Sequence, residues 1–148
     1  MSARRGWWIP LLATAWIAAT LMLGGLWLAD RTRRWEEPRW PDPSFVALRG
    51  RPSTPGPARV MVVNPGCERC LASLRRTVAI RAGTDRWIAL IVDTPARPGA
   101  RVLRQLPEMP VWWDRGGVWR GRWGHRVYGE ILDFDAAGRL VGARLEVR

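Results

Sequence analysis

The chain of 148 residues contains no lysine: all 24 of its basic side chains are arginine, set against 13 acidic residues for a formal charge of +11. It holds only two cysteines, one histidine, one tyrosine and two phenylalanines. Two cysteines cannot build a multi-disulfide scaffold, nor a four-thiolate zinc site, which needs a second pair. The length excludes a two-domain enzyme, and 47% apolar residues with 11 tryptophans exclude a disordered chain despite the charge. That charge attracts anionic surfaces of any kind, whether phospholipid, nucleic acid or acidic protein, and says nothing about fold. There is no internal repeat.

What is present begins with a charge-free run. Residues 7–29, WWIPLLATAWIAATLMLGGLWLA, follow a six-residue tail (1–6) carrying Arg4 and Arg5 and precede Asp30, Arg31, Arg33 and Arg34. As a helix this run reaches about 35 Å, enough for a hydrocarbon core of about 30 Å with some tilt. Trp7, Trp8 and Trp27 stand where indoles favour the headgroup level, and Pro10 falls in the first turn, where its missing N–H costs least. The rival reading is a cleaved signal peptide. The run is too long for an ordinary signal core, and Trp27 spoils a small-x-small cleavage site before Ala29, so a retained single-pass anchor is expected. Counting arginines near its ends sets Arg4, Arg5 and the amino terminus against Arg31, Arg33, Arg34 and Arg39, which alone leans toward a cytoplasmic C-terminal part. The short tail and the absence of stray thiols favour the opposite, and the soluble part is placed outside the cytoplasm.

Residues 30–57 hold six of the 12 prolines and no sustained apolar period, and read as a semi-extended linker. The pattern then becomes regular over 58–148. Ala58–Val63 (ARVMVV) reads as a strand, and apolar residues at Cys67, Cys70, Leu71, Leu74 and Val78 give the spacing of an amphipathic helix over 67–81. The breaker cluster Asn64-Pro65-Gly66 between them puts Cys67 at the helix N-terminus. Trp87–Val92 (WIALIV) suits a strand buried on both faces, followed by a short helix near 100–106 and a strand at 111–113. Glu130–Phe134 and Arg139–Val147 flank Asp135-Ala136-Ala137-Gly138 as a hairpin. The expected class is α/β, a mixed sheet flanked by helices.

A thiol reacts as its thiolate, which a helix N-terminus favours through its unpaired N–H groups and partial positive charge. Cys67 is therefore the candidate nucleophile. Cys70, almost one turn on, is the candidate resolving thiol that attacks a mixed disulfide on Cys67. The rival readings are an inert disulfide and a metal site. His125, the only histidine, could join Cys67 and Cys70 in a three-ligand copper or zinc site, although a lone histidine is more often a packed or surface residue.

These residues bring a family into view. VMVVNPGCERCLASLRR resembles the strand, CxxC and helix of thioredoxin-like proteins. MPVWWDRGGVWRGRWGH followed by EILDFDAAGRLVGARL is similar to the second half of membrane-anchored TlpA/ResA-type thiol-disulfide oxidoreductases. The resemblance covers about 58–148. It implies a thioredoxin-like fold and an extracytoplasmic location. It also implies a redox-active Cys67–Cys70 pair exchanging disulfides with protein thiols, no cofactor, and an upstream electron donor, often in cytochrome c biogenesis. The family's cis-proline, which helps bind the substrate strand, falls on Gly129, so Tyr128, Gly129 and Glu130 are the implied substrate-binding residues. The helix-kinking proline five residues after the second cysteine is Arg75 here. An alternative from another class is a redox-inactive binding or assembly module of the same fold.

Trp112–Arg126 carries four tryptophans and four arginines in fifteen residues. Such interleaving can bind single-stranded nucleic acid. It is also what a strand, a turn and a short helix with inward rings and solvated arginines would show, and nucleic acid is not an expected partner. An intermediate reading has this stretch flank the redox site and dock an acidic or unfolded partner through Trp119 and Arg122.

Overall fold

A computed structural model describes residues 8–31, 35–50, 56–80 and 87–145 of the chain. The chain divides into two compact units, Met1–Arg34 and Trp35–Arg148.

In the first unit, helix α1 covers Trp8–Arg31. Its Leu11–Ala29 portion is long and apolar enough to cross a membrane, and none of it is buried within the protein. Both threonines there return their hydroxyls to the preceding turn, Thr14 Oγ1 donating to the Leu11 carbonyl at 2.9 Å and Thr20 Oγ1 to that of Trp16 at 2.8 Å. A hydroxyl so satisfied loses little in hydrocarbon. Trp7 and the tail 1–6 lie outside the described residues.

The second unit is a six-stranded sheet built from β1 (Phe45–Arg49), β2 (Ala58–Val63), β3 (Trp87–Ile91), β4 (Val111–Asp114), β5 (Glu130–Phe134) and β6 (Leu140–Leu145). The spatial order is β1-β4-β3-β2-β5-β6. The β2, β3 and β4 strands run parallel, while β1, β5 and β6 pair antiparallel with their neighbours. The β3 strand is buried at every position, as its unbroken WIALI run requires of a strand covered on both faces.

Strand alternation divides the core in two. On one face Met61, Val63, Ala89, Ile91 and Val111 meet Cys70, Leu71 and Leu74 of α2 (Glu68–Ile80), with Val102 and Leu103 of α3 (Ala100–Gln105) packed alongside. On the other, Val60, Val62, Ile88, Leu90 and Trp112 meet an aromatic layer of Trp40, Phe45, Trp119, Trp123 and Phe134, where α4 (Val118–Gly121) supplies Trp119. The tryptophans of the arginine-rich stretch are thus core residues. Trp119 is fully buried, which removes it from the partner-docking surface expected of it, while Arg122 is exposed and pairs with Glu36 and Asp42.

The stretch expected to be a linker is folded over Trp35–Arg49. Trp40 is buried against Phe45, Trp112 and Phe134, with ring centroids 5.5, 5.4 and 5.9 Å away. Its backbone N–H donates to the Gly138 carbonyl at 2.8 Å. A Cβ on Gly138 would lie 2.2 Å from the Trp40 carbonyl oxygen, so the hairpin glycine also makes room for this strap. Arg122, just after α4, holds the strap, its Nη1 donating to Asp42 at 3.1 Å and its Nε to Glu36 at 2.8 Å. The five-residue strand β1 then pairs with β4. Prolines 38, 41 and 43 suggested an open tether, yet an edge strand and its lead-in tolerate proline, and the pairing of β1 with a strand some 60 residues later leaves no local trace. Residues 32–34 and 51–55 of the expected linker lie outside the described residues.

Replacing Trp40 by alanine is expected to cost about 3–5 kcal/mol, the ordinary range for a buried large aromatic. A denaturant titration of Trp40→Ala with an unchanged midpoint would show the strap to be dispensable.

Candidate functional site

The parallel strands end together, and the chemistry collects at that end. After β2, Asn64 makes an Asx turn by accepting the Gly66 N–H at 2.8 Å, while its amide donates to the Val92 carbonyl at 3.2 Å and so ties this turn to the end of β3. The turn delivers Cys67 to the start of α2. Its N–H donates to the Asn64 carbonyl at 2.9 Å, and its own carbonyl accepts the first helical bond, from Leu71 N–H at 3.1 Å. Cys67 is therefore the N-cap, and its sulfur takes the capping role: Cys70 N–H donates to Cys67 Sγ at 3.3 Å. Cys67 and Cys70 form a disulfide with Cα atoms 5.3 Å apart. Cys67 is half-buried, whereas Cys70 is 2% exposed, so an incoming group reaches Cys67 first. On reduction, a thiolate at Cys67 would keep the Cys70 N–H and the helix N-terminus as stabilising partners.

Arg75, standing where the resemblance expects proline, has a job of its own. Its Nε and Nη2 donate to the Gln105 carbonyl at 3.1 and 2.7 Å, pinning the end of α3 to the middle of α2.

At the end of β3, Asp93 takes a left-handed backbone (φ 53°), which aspartate tolerates better than most side chains. Arg120, on α4, donates from Nε to both Asp93 oxygens at 3.1 and 2.9 Å and from Nη2 to Oδ2. Tyr128 donates its hydroxyl to Asp93 Oδ2 at 2.7 Å, and its ring stacks on Trp119 at 5.7 Å between centroids. The Arg120 guanidinium holds the Asp93 carboxyl below the usual aspartate range, with the Tyr128 hydroxyl adding to the effect and burial opposing it. The same contact pushes the Tyr128 phenol up, since its phenolate would face a carboxylate. Nearby, buried Asp114 caps α4 by accepting the Val118 and Trp119 N–H groups at 2.9 Å each. Burial pushes its carboxyl up and outweighs those bonds.

The implied substrate-binding residues part company. Tyr128 packs against both halves of the core, the second of which includes Cys70 and touches Cys67. Gly129 is buried at the end of β2, donating its N–H to the Val62 carbonyl at 2.8 Å with φ of 82°. Proline can supply neither that donor nor that dihedral, so Gly129 is not a relaxed stand-in for a cis-proline. Among the described residues the cis peptide bond is Trp40–Pro41, away from this segment. Glu130, by strand alternation, sits on the aromatic face, where its Oε2 lies 2.8 Å from Nδ1 of His125. It is not gathered with the cysteines. His125 is likewise engaged there, and among the described residues no three His, Cys, Asp or Glu side chains could hold a metal ion, which overturns the copper alternative. Asp93 escaped the sequence reading; an aspartate directly after a fully apolar strand was the available signal.

No protein-family model and no curated protein matches the sequence. Solved structures do resemble it. The protein is similar to a putative thiol:disulfide interchange protein DsbE from Chlorobium tepidum (TM-score 0.53, 18% identity, 78% of this chain and 89% of that one). It is similar also to StoA from Bacillus subtilis (TM-score 0.52, 10% identity, covering 70% and 89%) and to an uncharacterized thioredoxin-like protein from Porphyromonas gingivalis (0.50, 16%, 69% and 76%). At such identities the likeness concerns the fold, which is thioredoxin-like, as the sequence led one to expect.

The lowered Asp93 carboxyl makes a pH prediction. Its folded pKa lies below the unfolded value of about 3.9, so its contribution to stability is full above that value and is lost as pH falls through the folded pKa. Wild type and Asp93→Asn should differ by a constant free energy from about pH 5 to 8 and converge in acid. Denaturant titrations whose difference persisted unchanged to about pH 2 would contradict this.

Proposed function

We propose that this thioredoxin-like chain is a membrane-tethered thiol-disulfide oxidoreductase that exchanges disulfides with protein substrates outside the cytoplasm. The observation that carries the reading is the asymmetric pair at the head of α2, an accessible Cys67 at the N-cap bonded to a buried Cys70. In the reducing direction, the Cys67 thiolate attacks a substrate disulfide, forming a mixed disulfide and releasing one substrate thiolate. Cys70, as its thiolate, then attacks Cys67 Sγ, which expels the second substrate thiolate and leaves the Cys67–Cys70 disulfide. The substrate gains two electrons, the protein loses two, and an upstream dithiol restores it by the reverse sequence. The leaving substrate thiolates take up protons from the solvent.

The apolar helix Leu11–Ala29 supports a single-pass anchor over residues 7–29, and the isolated CxxC fits an oxidising compartment. Cytochrome c maturation, where haem-binding cysteines must be kept reduced, is the finer form of this reading. One observation favours the second reading, a redox-inactive binding module: the wall that the resemblance assigns to proline is a glycine with left-handed backbone.

Equilibration of the full chain in glutathione buffers, followed by thiol trapping, should give a two-electron titration of Cys67 and Cys70. Cys70→Ser should accumulate mixed disulfides that Cys67→Ser does not. Absence of both the titration and the trapped partners would leave the binding-module reading. A membrane-impermeant thiol reagent should label reduced Cys67 in intact cells, and labelling only after lysis would reverse the orientation.

A further inference from the structure

The reactive end is assembled from four chain segments that no single element joins. Cys67 follows β2, Asp93 follows β3, and Arg120 lies on the helix after β4. Tyr128 and Gly129 lead into β5, which runs antiparallel to β2 and therefore starts beside the end of that strand. Ligands of open sheets with parallel strands bind at this end.

Of these four, the Tyr128–Gly129 segment has the weakest support from secondary structure. Residues 122–129 between α4 and β5 form no helix or strand, and Gly124 and Gly129 both have positive φ. What locates Tyr128 is side-chain pairing. Its hydroxyl is bound by Asp93, Asp93 is gripped by the fork of Arg120, and Arg120 Nη2 reaches the same hydroxyl at 3.3 Å. The guanidinium lies 5.2 Å over the Trp119 ring and 5.9 Å over that of Tyr128, and Trp119 is fully buried. A planar, multiply bonded guanidinium stacked on a core indole is a stiff support, one that lysine could not provide. One residue on, the Gly129 N–H to Val62 carbonyl bond fastens the segment to β2, five residues before Cys67.

We propose that Asp93, Arg120 and Tyr128 are positioning residues, a latch that holds the Tyr128–Gly129 segment against the end of β2 and so shapes the wall on which a partner polypeptide lies when its disulfide meets Cys67. The inference rests on the disulfide-exchange reading and assigns positioning residues to its polypeptide substrates. The latch exchanges no electrons. Its carboxylate and guanidinium neutralise each other, so it acts weakly on the charge of Cys67. A latch of this kind matters to a substrate large enough to touch the wall and is indifferent to a small disulfide that meets the sulfur alone.

The test uses the full-length reduced chain in detergent, with insulin as the polypeptide disulfide and glutathione disulfide as the small one. Tyr128→Phe keeps the ring on Trp119 and deletes the bond to Asp93. It should raise KM for insulin about fivefold, leave kcat within about twofold, and change the glutathione disulfide rate by less than it changes insulin turnover. Asp93→Asn should raise KM similarly, and the double variant should add little to either single change, as expected of partners in one network. Gly129→Pro, which loses the bond to Val62 and cannot take the observed φ, should weaken insulin turnover. Variants matching wild type on insulin, or losing rate equally on both disulfides, would overturn the latch while leaving the oxidoreductase reading intact. A wild-type chain that exchanges with neither disulfide would overturn that reading and the latch with it.

Discussion

The parallel register of β2 against β3 is the constraint from which the rest of the domain follows. Val63 lies opposite Ile91, and Val92 N–H closes the ladder on the Val63 carbonyl at 3.0 Å. Because side chains alternate, a slip by one residue would exchange Met61 and Val63 for Val60 and Val62 on the face that carries α2. The helix would lose its apolar floor, and Cys70 with Leu71 and Leu74 would have nothing to pack on. The same register brings Asn64 level with Val92 and Asp93, so one set of backbone bonds both seats the cysteine helix and aligns the loops that face it.

How much of this was legible in the sequence depended on how far the responsible partners lay apart. ARVMVV, WIALIV and the Asp135–Gly138 turn carry their structure in adjacent residues, and each forms the element expected of it. The capping position of Cys67 follows from a breaker cluster directly before an amphipathic run. By contrast, β1 owes its existence to β4, and Trp40 owes its burial to Trp112 and Phe134, across 72 and 94 residues. The tyrosine, aspartate and arginine of the latch come from two loops and a short helix that only the sheet order brings together. Gly129 could be aligned from sequence, but its backbone dihedral and its bond to Val62 could not.

The exclusive use of arginine acquires a partial rationale from the same contacts. Arg49 donates to the carbonyls of Met109, Leu103 and Pro107 at once, closing the loop before β4. Arg75 spans two helices, Arg120 forks onto a carboxylate while stacking on rings, and Arg122 bridges two acids of the strap. Each task uses a planar group with several donors in fixed directions, which an ammonium does not offer. Four of the 24 arginines thus act as structural ties.

The strap has a mechanical meaning as well. It lies on the aromatic face of the sheet, whereas α2 and its cysteines lie on the other. Tension applied through the chain ahead of Trp35 would be borne first by the Glu36 and Asp42 pairs to Arg122 and by the Trp40 bond to Gly138. These tie into α4 and the β5–β6 turn. The load path runs through tryptophan packing on the aromatic face of the sheet, so such tension would reach α4 and the β5–β6 turn before it reached the face that carries α2 and its cysteines.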